Sequence, residues 1–259
     1  MRDLLLFTLM EHSDAISKAF GPAAAAYLTS AVHAQGQELE LVACQIAATP
    51  QSRVLDVGCG AGHMSFAAAS SAQEVVAYDL TPEMLAVVEQ EAARRGLSNI
   101  KTRQGSAEAL PFQDASYDWV VSRYSAHHWR DLRQALREIR RVLKPGGTLC
   151  LIDITGGHEP LLDTYLQAVE VLRDPSHVRD YTESEWLAFL HEAGFRSEVA
   201  RRWRVPIEFA AWVRRIGTPQ DRALAILSLW MAAPAVVRQA YCVQPDGSFV
   251  MDACMMMGT

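Results

Sequence analysis

A chain of 259 residues, 50% of them hydrophobic, is long enough to bury one full core. Its formal net charge of -6 argues against the basic face that nucleic-acid and anionic-membrane partners require, so a small molecule is the expected partner. Cysteines 44, 59, 150, 242 and 254 form no CxxC pair and no metal-like spacing with histidine, so neither a disulfide framework nor a metal site is expected.

The apolar run Leu4 to Met10 is at the short limit for a secretion signal and lacks a small-residue cleavage site. No run approaches the ~20 apolar residues that span a bilayer. A cytoplasmic protein without membrane insertion is expected, with Met10 as an alternative start to Met1. An Ala-rich helical stretch over about 11–48 ends at Thr49-Pro50. Short β-branched runs then alternate with helix-period runs. "RVLDV" reads as a strand, "AGHMSFAAASSA" as a helix and "EVVAYDL" as a second strand. "TPEMLAVVEQEAARRG" follows as a helix with Thr81 as N-cap, Pro82 at its first position and Gly96 as its stop. "NIKTRQG" and "YDWVVSRY" are further strands, and "DLRQALREIRRVL" is an amphipathic helix. "KPGGTLCLIDIT" turns into a fifth strand. This order predicts an α/β fold with a doubly wound, mostly parallel sheet. "TESEWLAFLHEAGF" is a helix with a capping-box start, Thr182 to Glu185, and "RSEVARRWRV" and "GSFVMDACMMM" are closing strands. The expected organisation is a helical lid over 1–48 and a domain over 49–259, its core at 53–155 and its substrate-covering inserts at 156–181 and 205–247.

In such a sheet the ligand sits at the carboxyl ends of the strands where strand order reverses, which is where "VLDVGCGAGHMS" falls. A dinucleotide fingerprint built on Gly58 and Gly60 would need a glycine at 63, occupied here by His63, and a Walker loop would need a lysine that is absent. No Lys or Arg lies between Arg53 and Arg94, whereas Asp56 and Asp79 stand at the two nearest strand ends and offer a cation two carboxylates.

"VLDVGCGAG", "VVAYDLTPEML", "RQGSAEALPFQDASYDWVVSRYSAHHW" and "ALREIRRVLKPGGTLCLIDI" together resemble the class I S-adenosylmethionine-dependent methyltransferases. Within these, the chain is similar to the small-molecule branch that holds the ubiquinone/menaquinone C-methyltransferases. The resemblance implies a Rossmann-like seven-stranded sheet with an antiparallel last strand, and S-adenosylmethionine as cofactor. It implies that Gly58, Cys59, Gly60 and Gly62 let the backbone approach the cofactor, and that Asp56 holds its amino-acid end. Asp79 is implied to accept from the ribose hydroxyls, with Leu80 and Met84 on the adenine. Where the family shows G-D-A-E, this chain has Gly105, Ser106, Ala107 and Glu108, so Ser106 is expected to take over part of the adenine contact.

Methyl transfer is an in-line displacement that needs alignment, exclusion of water and, for some acceptors, removal of a proton. His127 and His128 are the candidate bases and also candidate substrate contacts, because their loop opens beside the transferred methyl. Arg123 and Tyr124 are expected at the cofactor's methionine end or in the pocket, unless Arg123 pairs with an acid of the next helix. Asp153, Tyr27 and Trp212 are further candidate substrate residues. Phe20, Tyr27, Tyr165, Phe209, Trp212 and Trp230 suggest an apolar, planar acceptor methylated on carbon or oxygen. The basic tracts "LREIRRVLK" and "ARRWRV" are read as solvated faces. A regulatory protein that binds the cofactor without turnover is the alternative, and either a monomer or a homodimer is expected.

Overall fold

The computed structural model describes residues 11–29, 36–49 and 51–259. The expectations for Met1, Met10, the run Leu4 to Met10 and Pro50 lie outside the described residues. In place of one N-terminal helix, the described residues form α1 (His12–Phe20), α2 (Ala24–Leu28) and α3 (Gln37–Ala47). Gly21 and Pro22 separate the first two, since a proline ring clashes with the carbonyl four residues back and cannot continue a helix.

The strands are β1 (Arg53–Val57), β2 (Glu74–Asp79), β3 (Ile100–Gln104), β4 (Tyr117–Arg123), β5 (Leu143–Ile154), β6 (Ser197–Ile207) and β7 (Phe249–Gly258). They form one sheet in the order β3-β2-β1-β4-β5-β7-β6. The pairings among β1 to β5 are parallel, and β7 runs antiparallel to both β5 and β6. The sheet is therefore doubly wound, with an antiparallel last strand inserted one place from the edge.

The period-2 alternation of each strand divides the core between two faces. Leu55, Val57, Val120, Leu149 and Leu151 pack beneath α6 (Leu132–Val142) and α8 (Glu183–Glu192). Val54, Val75, Val121, Cys150 and Ile152 pack against α3 and α4 (His63–Ala69). Between β2 and β3, α5 (Pro82–Arg95) starts at Thr81-Pro82 and ends at Gly96, whose φ of 71° is the left-handed stop that glycine accepts most readily. Both halves of the Thr182 capping box form, Thr182 accepting from the Glu185 amide and the Glu185 carboxylate accepting from the Thr182 amide.

A third layer covers the β6–β7 side. It consists of α7 (Pro160–Arg173), α9 (Phe209–Arg215), α10 (Gln220–Ala232) and α11 (Ala235–Ala240). Its own core is aromatic: Trp230 is fully buried, and Phe209, Trp212, Tyr241 and Phe249 close around it. The basic tracts are largely ion-paired, Arg141 with Glu138 and Asp114, Lys144 with Asp118 and Arg202 with Glu183. No helix among the described residues is long and apolar enough to cross a membrane.

Candidate active site

The carboxyl ends of β1, β2 and β4 border a cavity of about 600 Å³, roofed by α1 and α2. β1 lies between β2 and β4, so this is the point at which strand order reverses. Asp56, Gly58, Cys59, Gly60, Asp79, Leu80, Met84, Ser106, Ala107, Glu108 and Arg123 all line the cavity.

Gly62 does not. It initiates α4 with φ 87°, and a side chain there would stand 2.8 Å from Val88 and 2.9 Å from Phe66. The close approach that requires its glycine is thus to the protein's own core and not to a ligand. Gly58 is likewise fixed from within: at φ 68° an added Cβ would lie 1.8 Å from Ser125 Oγ. Only Gly60, at φ 51°, meets no protein atom within 4 Å of such a Cβ, so its bare backbone borders open space.

Asp79 ties that backbone down. One carboxylate oxygen accepts from the Gly60 amide at 2.8 Å and the other from the Thr81 amide at 2.9 Å, leaving a lone pair on each for a ligand. Burial raises its pKa, and the amide hydrogen bonds oppose that rise. Asp56 is almost wholly buried at the cavity floor. One oxygen accepts from Ser65 Oγ at 2.6 Å, and the other is buried with no hydrogen-bond partner among the described residues. Burial, set against the Ser65 bond and reinforced by Asp79, lifts Asp56 to about 7. A carboxylate in that position is stabilised by a cation. The Cys59 thiol is pushed up by burial and by the two aspartates, so it is not a reactive thiolate.

Ser106 donates to the Glu108 carboxylate, which also accepts from the Arg130 amide at 3.0 Å. The serine hydroxyl is therefore engaged in its own turn, and a ligand there meets mainly the Ser106–Glu108 turn. Tyr78 braces the turn through a 3.0 Å bond to the Ser106 carbonyl.

Arg123 departs from the expectation of an acid in the next helix. It forms a buried pair with Glu38 of α3, at 2.6 and 2.9 Å, and lies 4.7 Å over the Tyr124 ring. The N-terminal segment is fastened elsewhere as well. His63 Nε2 lies 3.1 Å from the Tyr27 carbonyl, and Phe20 packs edge-on against His128 at 5.0 Å.

The two candidate bases occupy different positions. His128 lines the cavity, its Nδ1 3.2 Å from the Ser176 carbonyl, which only a protonated nitrogen satisfies. Burial and the neighbouring His127 depress its pKa to about 3. His127 lines only a smaller chamber behind the cavity. Its Nδ1 bonds to Asp153 at 2.6 Å. Although burial opposes the charged ring, Asp153, helped by Asp180 and Glu170, raises its pKa to about 9. Around neutral pH Asp153 thus favours the charged form of His127, and burial the neutral form of His128. Asp153 lines neither space. It holds the imidazolium and accepts from the His127 amide at 3.1 Å.

This pair gives a signed expectation. Because the folded pKa of about 9 exceeds the usual 6.5, the stabilisation is fully present below 6.5 and is lost as pH rises through 9. Unfolding midpoints of the wild type should therefore fall between these pH values. Asp153→Asn should flatten that slope, and histidine NMR should show the His127 titration moving down, because burial is then opposed only by Asp180 and Glu170.

Tyr27 and Tyr124 line both the cavity and the chamber, and Trp212 lines only the chamber. Phe209, Tyr165 and Trp230 line neither, and pack within the aromatic third layer. The expected aromatic lining of the cavity therefore reduces to Phe20, Tyr27 and Tyr124, joined by Tyr78 and Trp129, which the sequence reading did not single out. That reading also missed Glu38 and the charged residues of the chamber. For Glu170, Arg173 and Asp180, the dense charge of "EVLRDPSHVRD" was an available signal.

A family described as a methyltransferase domain matches residues 55–151. The uncharacterized methyltransferase YcgJ of Bacillus subtilis is 37% identical over 245 residues, 92% of this chain and 96% of that protein. Its crystal structure superposes with a TM-score of 0.81 over 85% of this chain and 96% of its own. The Escherichia coli protein YafE is 46% identical over 77% of this chain and 96% of its own length. A Chlorobaculum parvum demethylmenaquinone methyltransferase is 36% identical over 42% of this chain and 44% of its own. With the strand order, the glycine turn and the paired aspartates already in place, these matches identify the chain as a member of the class I S-adenosylmethionine-dependent methyltransferases.

Proposed function

We propose that the protein binds S-adenosylmethionine in the large cavity and transfers its methyl group to carbon or oxygen of a small acceptor with a planar or apolar body. The observation that carries this reading is the pairing of Gly60, open on its ligand side, with Asp79 beside it and the unpartnered Asp56 oxygen below. When bound, the cofactor supplies a methyl group activated by a positively charged sulfur. Asp56 would hold the cofactor's ammonium directly or through water, Asp79 would accept from the ribose hydroxyls, and Leu80 and Met84 would pack against the adenine. Phe20, Tyr27, Tyr124 and Trp129 would flank the acceptor and keep water from it.

With the charged form of His127 favoured by Asp153 and the neutral form of His128 by burial, the fitting nucleophile is one that is already ionised near neutral pH, such as an enolate or an acidic phenolate. The similarity to the Chlorobaculum demethylmenaquinone methyltransferase makes quinone-precursor-like compounds the first acceptors to try. The test is calorimetric titration of ligand-stripped protein with S-adenosylhomocysteine, with NAD as competitor, followed by an acceptor screen for S-adenosylhomocysteine release. Failure to bind, or preference for NAD, overturns the cofactor assignment. Binding without release for any acidic carbon or oxygen acceptor would favour a regulatory protein.

A further inference from the structure

The chamber that His127 lines has a volume of about 80 Å³ and shares Phe20, Tyr27, Tyr124 and His128 with the main cavity. Its remaining wall is unusual for a space inside an aromatic core, because Glu170, Arg173, Asp180 and Arg215 all border it. The carboxyls of Asp153, Asp180 and Glu170 act on the His127 cation and those of Glu170 and Asp174 on Arg173, while burial pushes the pKa of both Glu170 and Asp180 up.

Most of these groups are already engaged. Asp153 holds His127, and one oxygen of Asp174 accepts from the Ser176 amide and hydroxyl at 2.8 and 2.7 Å. Arg173 donates to the Trp212 carbonyl at 3.3 Å and to the Tyr27 hydroxyl at 3.4 Å, with its guanidinium 4.8 Å over the Trp212 ring. Arg215 lies over the Tyr27 ring. Two groups are left over. Among the described residues neither the Glu170 nor the Asp180 carboxyl accepts a hydrogen bond, although Asp180 is 1% exposed and one of its oxygens is wholly buried. Nearby His177 does not compensate: its Nε2 lies 2.9 Å from Gln167 Oε1 and 3.9 Å from Asp180, and burial and neighbouring cations keep the ring neutral.

A buried carboxyl without a partner costs stability, and such a violation is retained where a ligand supplies the missing partner. We propose that the chamber binds the ammonium end of a small amine-bearing acceptor, held between the carboxylates of Glu170 and Asp180. The inference rests on the cofactor reading above insofar as the bound molecule is the methyl acceptor. A carboxylate ligand would have to compete for arginines already engaged by Trp212 and Tyr27. Among the described residues no three histidine, cysteine or acidic side chains converge to hold a metal ion, so an amine is the fitting cation. The assignment also bears on regiochemistry. An ammonium has no lone pair, so the methyl would go to a carbon or oxygen further along the molecule, towards the shared aromatic wall.

The test is calorimetry on the full chain, alone and with S-adenosylhomocysteine, using propylammonium, propionate and 1-propanol as probes. Saturable binding of propylammonium alone is expected. It should weaken by about tenfold or more in Asp180→Asn and in Glu170→Gln, while S-adenosylhomocysteine affinity and the thermal midpoint of Asp180→Asn hold or rise. Propionate or propanol binding as well as the amine, amine binding unchanged in both variants, no amine binding, or a destabilised Asp180→Asn that marks the carboxyl as structural would each overturn the proposal. Amine binding to a protein that ignores S-adenosylhomocysteine would support the chamber and overturn the cofactor reading. The reverse pattern would overturn the chamber alone.

Discussion

Asp79→Ala is expected to weaken S-adenosylmethionine binding by about 100-fold or more, measured by calorimetry against the wild type. Each hydrogen bond to a charged group contributes about 1.5–3 kcal/mol, so two ribose hydroxyls on one carboxylate together contribute about 3–6 kcal/mol, where about 2.7 kcal/mol is 100-fold. The structure adds a second loss, because the same carboxylate accepts from the amides of Gly60 and Thr81 and so fixes the turn that the cofactor would lie along. Asp79→Asn separates this explanation from a pure charge effect. An amide has one acceptor oxygen and one donor nitrogen, so it must turn an NH2 group towards one of those two N–H donors. Asparagine should therefore be nearly as damaging as alanine, despite its size. Affinity within about threefold of wild type in both variants would show that the cofactor does not rest on Asp79.

What the sequence disclosed here is local. Pro82, the glycine stop at 96 and the Thr182 capping box are written within a few residues of one another and form as read, whereas Thr81 takes the N-cap position without a side-chain capping bond. Strand order and the position of the site followed, because alternating strands and helices allow few chain paths. Contacts distant along the chain were not legible. Arg123 finds its acid at Glu38, 85 residues earlier, and no pattern near either residue announces the pair. The aromatic residues of the last third illustrate the same limit: composition cannot tell a pocket wall from the core of a small layer, and Trp230 belongs to the core. His127 shows it for chemistry. Its place in the loop suggested a base, but its charge state is decided by Asp153, 26 residues on, with Asp180 and Glu170 beyond.

Within the glycine turn, residues that look alike in sequence should behave in opposite ways. Gly60→Ala is expected to leave the fold intact, with only the ~1–2 kcal/mol cost of a left-handed residue bearing a Cβ, yet to reduce cofactor affinity strongly, because that Cβ stands where the ligand backbone would lie. Gly58→Ala should instead unfold or severely destabilise the protein, since its Cβ would lie 1.8 Å from Ser125 Oγ and 2.6 Å from Ser125 Cβ at a φ of 68°. Ser125→Gly removes both clashing atoms, so Gly58→Ala/Ser125→Gly should recover much of the thermal midpoint lost by the single variant, which a purely conformational cost at Gly58 would not permit. Thermal unfolding and calorimetry on the four proteins decide the matter. If Gly60→Ala binds S-adenosylhomocysteine as tightly as wild type, the open side of that residue is not where the cofactor passes, and the turn serves the fold alone.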